Sequence, residues 1–151
     1  MVQKRAYSLV ELIVVVVCIG ILAAIVVPRL NFATISKHKA EATARKIAID
    51  LRRTRRLAIS NAATNTEGFK LIMNAPAPYT SYRIEDNDTT EVIDSHNIDS
   101  AVTCTGGKEF IFGPLGNLKS GSDTQLVVSA EGKSFTITAT RATGMIKCFE
   151  N

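Results

Sequence analysis

The sequence predicts an α+β chain, a long N-terminal helix followed by a mainly antiparallel β-sheet head domain. Three observations carry this. An apolar run fills residues 7–27, small and aliphatic residues recur at helical spacing from Ala44 to Ala62, and short alternating segments between turn residues fill most of the remainder. With 151 residues, the chain is long enough for one domain with a moderate core and an appendage.

The first element reads as a transmembrane helix. Leu12 to Val27 holds no polar side chain, and including Tyr7 to Glu11 makes a stretch of 21 residues. At about 1.5 Å per residue it would be roughly 32 Å long, against a hydrocarbon core of about 30 Å. Its Val and Ile content disfavours a free helix in water. In lipid, however, the backbone can satisfy its hydrogen bonds only by coiling. A cleaved secretory signal fits poorly, because such signals have shorter apolar regions ending in a small-residue cleavage site. Here Pro28-Arg29-Leu30 follows the run instead.

Pro28 removes one helical hydrogen bond and predicts a kink, after which the helix resumes to about Asn61. In this second half Ala44, Ile47, Ala48, Leu51, Thr54, Ala58 and Ala62 form one stripe. Arg45, Lys46, Arg52, Arg53 and Arg56 point away from it, and Arg55 lies at its edge. The stripe is expected to pack a sheet onto the helix.

Strands are expected at "EGFKLIM", "SYRIE", "KEFIFG", "TQLVVSA" and "KSFTITAT", with a hairpin turn at Glu131-Gly132. Asn74 to Ser81 carries Pro76 and Pro78 and reads as loop, and Glu85 to Ser95 reads as an acidic, polar stretch.

Charge is distributed unevenly. The net formal charge of +4 does not by itself argue for a nucleic-acid partner. Yet Lys37 to Arg56 holds eight bases against Glu41 and Asp50, whereas Leu57 to Asn151 holds seven bases against eleven acids. Catalytic patterns are weak. Gly132-Lys133-Ser134 imitates the end of a phosphate-binding loop, but Val127 stands where the first Gly is required. His38 and His96 are the only histidines, far apart and without ligand-spaced companions. No catalytic, metal or cofactor site is expected. Asn87-Asp88-Thr89 fits a glycosylation sequon, a pattern common by chance. Cys18 reads as a small apolar filler of the first helix. Cys104 and Cys148 either form a bridge, if the head is exported to an oxidising compartment, or stay as two reduced buried thiols.

Glu11 is the anomaly of the apolar run. A carboxylate deep in a membrane helix costs about 2.5–3.5 kcal/mol, less near an end. One reading is an acid at the positive end of the helix dipole. The other is an anion awaiting a cation from another subunit. Cutting between Ala6 and Tyr7 would create that cation, an amine with a reference pKa of about 7.7–8.0. Two costly groups would then neutralise each other only when subunits pack in register.

Ala6-Tyr7-Ser8-Leu9-Val10-Glu11-Leu12 resembles the type IV prepilin signature, a short basic leader ending in a small residue, then an aromatic and a glutamate at the fifth mature position. Gly20 and Pro28 fall where pilins commonly carry Gly and Pro. Ala6 stands in place of the usual Gly, and Tyr7 in place of the commoner Phe. The resemblance implies a pilin-like fold, cleavage by prepilin peptidase at Ala6–Tyr7, and N-methylation of Tyr7. It also implies assembly through Glu11 with other pilins or pseudopilins. Membrane lipid and an inner-membrane assembly platform would be further partners. The chain then divides into a leader (1–6), a transmembrane and assembly helix (7–28), the periplasmic half of the long helix (29–62) and a β-rich head (63–151). Its expected place is the bacterial inner membrane, single-pass, with the C-terminal domain in the periplasm, and from there a pseudopilus or pilus.

"LRRTRRLAISNA", "FKLIM", "FIFGPLGNL" and "TGMIKC" are in turn similar to the GspH/FimT minor pseudopilins, which couple an Arg-bearing helix to a Phe-x-Pro-x-Gly turn, here Phe112, Pro114 and Gly116. A final Gly-containing strand is implied. Members serve type II secretion or type IV pilus machinery, and some bind DNA for uptake through a Gly-Arg-x-Arg element. The matching positions are Gly144, Met145, Ile146 and Lys147, so the first Arg is Met and the second Lys. Arg141 and Lys147 remain as weak candidate nucleic-acid contacts. A structural subunit is the first reading, and a DNA-binding minor pilin the second.

Overall fold

The computed structural model describes residues 8–26 and 32–151, which fall into two compact units, residues 1–32 and 33–151. The expected cleavage point at Ala6–Tyr7 and the kink at Pro28 lie outside the described residues.

Helix α1 runs over Leu9–Val26, and the Leu12 amide donates to the Ser8 carbonyl at 3.1 Å at its start. Glu11 occupies the first turn, where a carboxylate suits the exposed amides of a helix start. Aliphatic side chains surround the helix, and from Leu9 to Leu22 they stand exposed. The expected 21-residue span begins at Tyr7 and ends at Val27, both outside the described residues. Among the described residues no helix is long and apolar enough to cross a membrane. The 18 described residues of α1 extend about 27 Å, with Glu11 in the first turn.

The second unit is built on helix α2, Phe32–Ser60. Its buried residues include Ala44, Ile47, Ala48, Leu51, Thr54 and Ala58 of the stripe expected from spacing, with Ala40 and Asp50 added and Ala62 only half-buried. Small residues let the sheets approach the helix closely, while Ile47 and Leu51 fill the space between. Thr54 satisfies its hydroxyl on the Asp50 carbonyl one turn back, at 2.7 Å.

Eight strands follow, arranged in two four-stranded antiparallel sheets. The first sheet has the order β3-β2-β1-β5, with β1 Phe69–Met73, β2 Ser81–Asp86, β3 Val92–Asn97 and β5 Glu109–Phe112. The second has the order β4-β6-β7-β8, with β4 Thr103–Gly106, β6 Gln125–Ala130, β7 Lys133–Ala139 and β8 Ile146–Glu150. All five strands expected from alternation form, and β8 stands where the family resemblance implied a last strand. β3 forms partly within the stretch read as acidic and polar, where no strand was expected. It is an edge strand pairing only with β2, so it needs little apolar alternation.

The β6–β7 hairpin closes through two residues, Ala130 pairing with Lys133. Glu131 and Gly132 both take positive φ, 49° and 76°, the primed turn whose twist matches that of the strands. The core joins α2 to both sheets through Leu71, Ile84, Phe110, Phe112, Leu126 and Ile137, all fully buried.

Candidate assembly and binding surfaces

The candidate assembly residue, Glu11, is exposed in α1, and among the described residues it has no ion pair or hydrogen-bonded partner for its carboxylate. The geometry of α1 therefore offers an acid within an otherwise apolar surface.

The head holds three polar junctions. At the first, the Arg55 guanidinium donates from Nε to the Gly116 carbonyl at 2.9 Å, tying the C-terminal part of α2 to the turn after β5. The Gly113-Pro114-Leu115-Gly116 turn is closed by the Gly116 amide on the Gly113 carbonyl at 2.8 Å. Gly144, in the turn before β8, packs on the same point. Its φ is 60°, and a Cβ there would lie 1.9 Å from the Gly116 carbonyl oxygen and 3.1 Å from Arg55 Nε. The structure thus brings together Arg55 and the Phe112–Gly116 turn, both singled out in the sequence. Gly144 is a packing residue of this junction, a role that no local pattern in "TGMIKC" reveals.

The second junction escaped the sequence analysis. Asp50, buried on α2, accepts from the Tyr82 hydroxyl at 2.6 Å. The His96 ring lies against Tyr82, with its Nε2 3.5 Å from Asp50 and 3.4 Å from Asp94, and Lys46 approaches its Nδ1 at 3.2 Å. Arg53 pairs with Asp94 and holds that carboxyl below the usual range. Burial and the Asp50 carboxylate push the Tyr82 hydroxyl pKa well up. His96, isolated in sequence, therefore belongs to a latch between α2 and the β2–β3 edge. Only the long-range pairing of β2 with β3 creates it, so nothing local could have announced it.

The third junction is a cleft of about 400 Å³ between α2 and β8. It is lined by Glu41, Arg45, Ala48, Ile49 and Arg52 of α2 and by Phe135, Cys148, Phe149 and Glu150 of the sheet. Arg52 reaches the Ile146 carbonyl at 3.3 Å.

The expected Cys104–Cys148 bridge is corrected by this topology, and both cysteines are free thiols. Cys104 sits on β4 and Cys148 on β8, with β6 and β7 between them. Three strand spacings come to about 14 Å, whereas a disulfide needs Cα atoms within about 7 Å. Burial pushes the Cys104 thiol up to about 12. Cys148 is also raised by burial, while the neighbouring Arg45 and Arg52 pull it back.

The candidate nucleic-acid contacts do not form a cluster with the helix bases. Arg141 is exposed in the turn after β7, and Lys147 is exposed on β8, alternating away from the helix-facing Ile146 and Cys148. On α2 most bases are engaged. Lys39 pairs with Asp99 at 2.8 Å and Arg45 with Glu41 at 2.6 Å. Arg53 pairs with Asp94, Lys46 meets His96, and Arg52 and Arg55 bind backbone carbonyls. Among the described residues no group of three or more His, Cys, Asp or Glu side chains could hold a metal ion.

Residues 1–27 match the family described as the prokaryotic N-terminal methylation motif. No curated protein and no solved structure matches the chain. The motif indicates a type IV prepilin-like chain of the pilin or pseudopilin kind. It implies a membrane-anchored subunit, processing by prepilin peptidase and assembly with other pilins.

Proposed function

We propose that this chain is a minor pilin or pseudopilin of the GspH/FimT kind, a non-enzymatic structural subunit of a type II secretion pseudopilus or a type IV pilus. The observation that carries this reading is the N-terminal methylation motif over residues 1–27, with Glu11 in an exposed apolar helix and without a partner among the described residues. Prepilin peptidase would cut between Ala6 and Tyr7 and methylate the new amine. Glu11 of one subunit would then meet the amine of a neighbour, giving each buried charge its counter-charge. Before assembly the N-terminal segment anchors the chain in the inner membrane with the head in the periplasm.

DNA uptake is the second reading, and the engagement of most α2 bases by carboxylates, His96 and backbone carbonyls weighs against it. A guanidinium that already donates to a carboxylate must lose that bond to meet a phosphate.

The test is the mass of the mature N-terminus in membrane fractions. A methylated Tyr7 start is expected. An intact Met1 start would overturn the prepilin reading.

A further inference from the structure

The C-terminal end of α2 meets two turns of the head, and together they make an end of distinct composition. Residues 55–60, 113–118 and 140–147 hold four bases and neither an acid nor an aromatic. Contacts within the fold join them. Arg55 donates to the Gly116 carbonyl, the Leu118 amide donates to the Arg141 carbonyl at 3.0 Å, and the Gly144 amide closes its own turn on the Thr140 carbonyl at 2.7 Å. A Cβ at Gly116 would lie 2.7 Å from Ile59 Cδ1, so the Ile59 side chain stands against the same turn.

Apolar side chains project from this frame. Leu115 is 89% exposed, more than any other large apolar residue among those described, and Ile59 and Met145 are 45% and 46% exposed. The bases around them are uncommitted. The side chains of Arg56, Arg141 and Lys147 are exposed and have no ion pair or hydrogen bond among the described residues. They differ in this from Arg45, Arg53 and Lys133, each already paired with a carboxylate. Exposed aliphatic side chains gathered inside a polar rim mark an interaction site.

We propose that this end of the head docks a filament subunit of different sequence, one that offers an apolar pocket rimmed by carboxylates. Leu115 is the anchor, carried on a turn that Arg55 and the Arg141 carbonyl hold in place before binding, so little order has to be gained. Arg56 and Arg141 face the partner's acids from the rim. A second copy meeting this surface with its own would set bases against bases. Duplex DNA would satisfy the bases but leave Leu115, Ile59 and Met145 uncovered, and no aromatic ring is present for a single strand to stack on. The free bases also fall short of the roughly four to eight that hold a segment to an anionic membrane. A contact with one unlike neighbour suits a minor subunit, because it gives the chain a single place and does not repeat along the filament. The inference rests on the filament-subunit reading and adds to it the surface used and the partner chemistry.

Photochemical cross-linking of the full chain, in cells that make the filament, tests it. Benzoylphenylalanine takes the place of Leu115 or, as a control, of Thr89, exposed in the β2–β3 turn. Each other subunit bearing the N-terminal methylation motif is tagged in turn. A cross-link to one tagged subunit is expected from position 115 and not from position 89. Arg56→Glu and Arg141→Glu should each cut its yield about fivefold. Exchanging a carboxylate at the linked site of the partner for Arg should restore the yield lost in Arg141→Glu. With the probe moved to position 145, Leu115→Ala should cut the yield about tenfold or more, the loss of one buried anchor. Head melting should stay at the wild-type value in all three variants, since each changes an exposed side chain.

Equal cross-linking from positions 115 and 89, adducts solely with copies of this chain, or adducts of position 115 with lipid or DNA would each overturn the proposal. So would a yield that both charge reversals leave unchanged. The mature N-terminus, read in the same samples, keeps the two claims apart. A methylated Tyr7 start with no adduct at position 115 would remove the head contact and leave the filament reading in place. An intact Met1 start would remove the filament reading and this inference with it.

Discussion

α1 and α2 are both long helices, yet α2 buries a face within its own unit and α1, among the described residues, buries none. α2 buries a stripe of Ala40, Ala44, Ile47, Leu51 and Ala58 against two sheets and keeps its bases on the outside. α1 has no such division, with exposed Leu, Ile and Val side chains on every side and a single acid. Burying each such side chain is worth about 1.5–3 kcal/mol. The apolar surface of α1 therefore calls for surroundings from outside the chain, whether lipid or neighbouring helices. A helix that is apolar all round is a buried helix.

The strongest way to break this comparison is to change the one polar residue of α1. Glu11→Ala makes α1 more apolar and leaves the head untouched. If Glu11 meets a neighbour's amine, the variant strands that amine in the assembled bundle, a loss of about 3–5 kcal/mol for an uncompensated buried charge. Incorporation into the filament should fall by on the order of a hundredfold or more, while membrane insertion and the melting of the head are unchanged. Wild-type incorporation, measured in sheared filament or membrane fractions, would remove the register role.

A matched pair of truncations sharpens the same contrast. Leu51 is fully buried in the head, and Leu51→Ala should destabilise it by about 2–5 kcal/mol through lost burial and a residual cavity. Leu12, on α1, is 63% exposed among the described residues. Leu12→Ala should leave head melting within about 0.5 kcal/mol of wild type. Thermal or urea unfolding of both variants in detergent decides it, and equal losses would mean that α1 is packed by its own chain.

Legibility in the sequence followed the range of the interactions. The α2 stripe was readable because its partners recur every three or four residues, and β1, β5, β6 and β7 because alternation is local. β3 was not, since an edge strand that buries little has no alternation to show. The Asp50–Tyr82–His96 latch was invisible for a related reason, being assembled from three elements, with Tyr82 and His96 lying 32 and 46 residues beyond Asp50. Arg55 was placed correctly at the stripe's edge, but its partner Gly116 became visible only in the fold. The disulfide expectation failed because two cysteines with compatible chemistry lie on opposite edges of one sheet, and sequence separation carries no strand order.

Gly144→Ala tests the Arg55 junction at an intermediate scale. The added Cβ meets the Gly116 carbonyl oxygen at 1.9 Å, and the positive φ disfavours any side chain. The turn must shift, at a cost of about 1–3 kcal/mol. Gly121→Ala is the control, because its φ of 88° carries the backbone penalty but nothing lies within 4 Å of the new atom. A larger loss at Gly144 than at Gly121 identifies packing against Gly116 and Arg55 as the cause, and equal losses would leave backbone conformation alone.

The smallest expected effect distinguishes two sites within the head. Cys104 is fully buried, and its thiol is pushed up to about 12 by desolvation, whereas Cys148 is half-buried beside Arg45 and Arg52. The thiolate is the reactive form, so at pH 8 a thiol reagent should label Cys148 faster than the fully buried Cys104. The linkage has a definite sign. A thiol whose folded pKa is raised contributes stability that is complete below its unfolded pKa and is lost as pH rises through the folded value. For Cys104 that window runs from the ordinary thiol value of 9.0 to about 12. Head stability should therefore fall as pH rises through this interval, and Tyr82, raised in the same direction, should add to the fall. Cys104→Val removes the titrating group while keeping an apolar side chain, so its stability should decline less steeply over that interval than the wild type's. Identical alkaline profiles for the two, measured by unfolding in urea, would show that Cys104 is not desolvated as the fold places it.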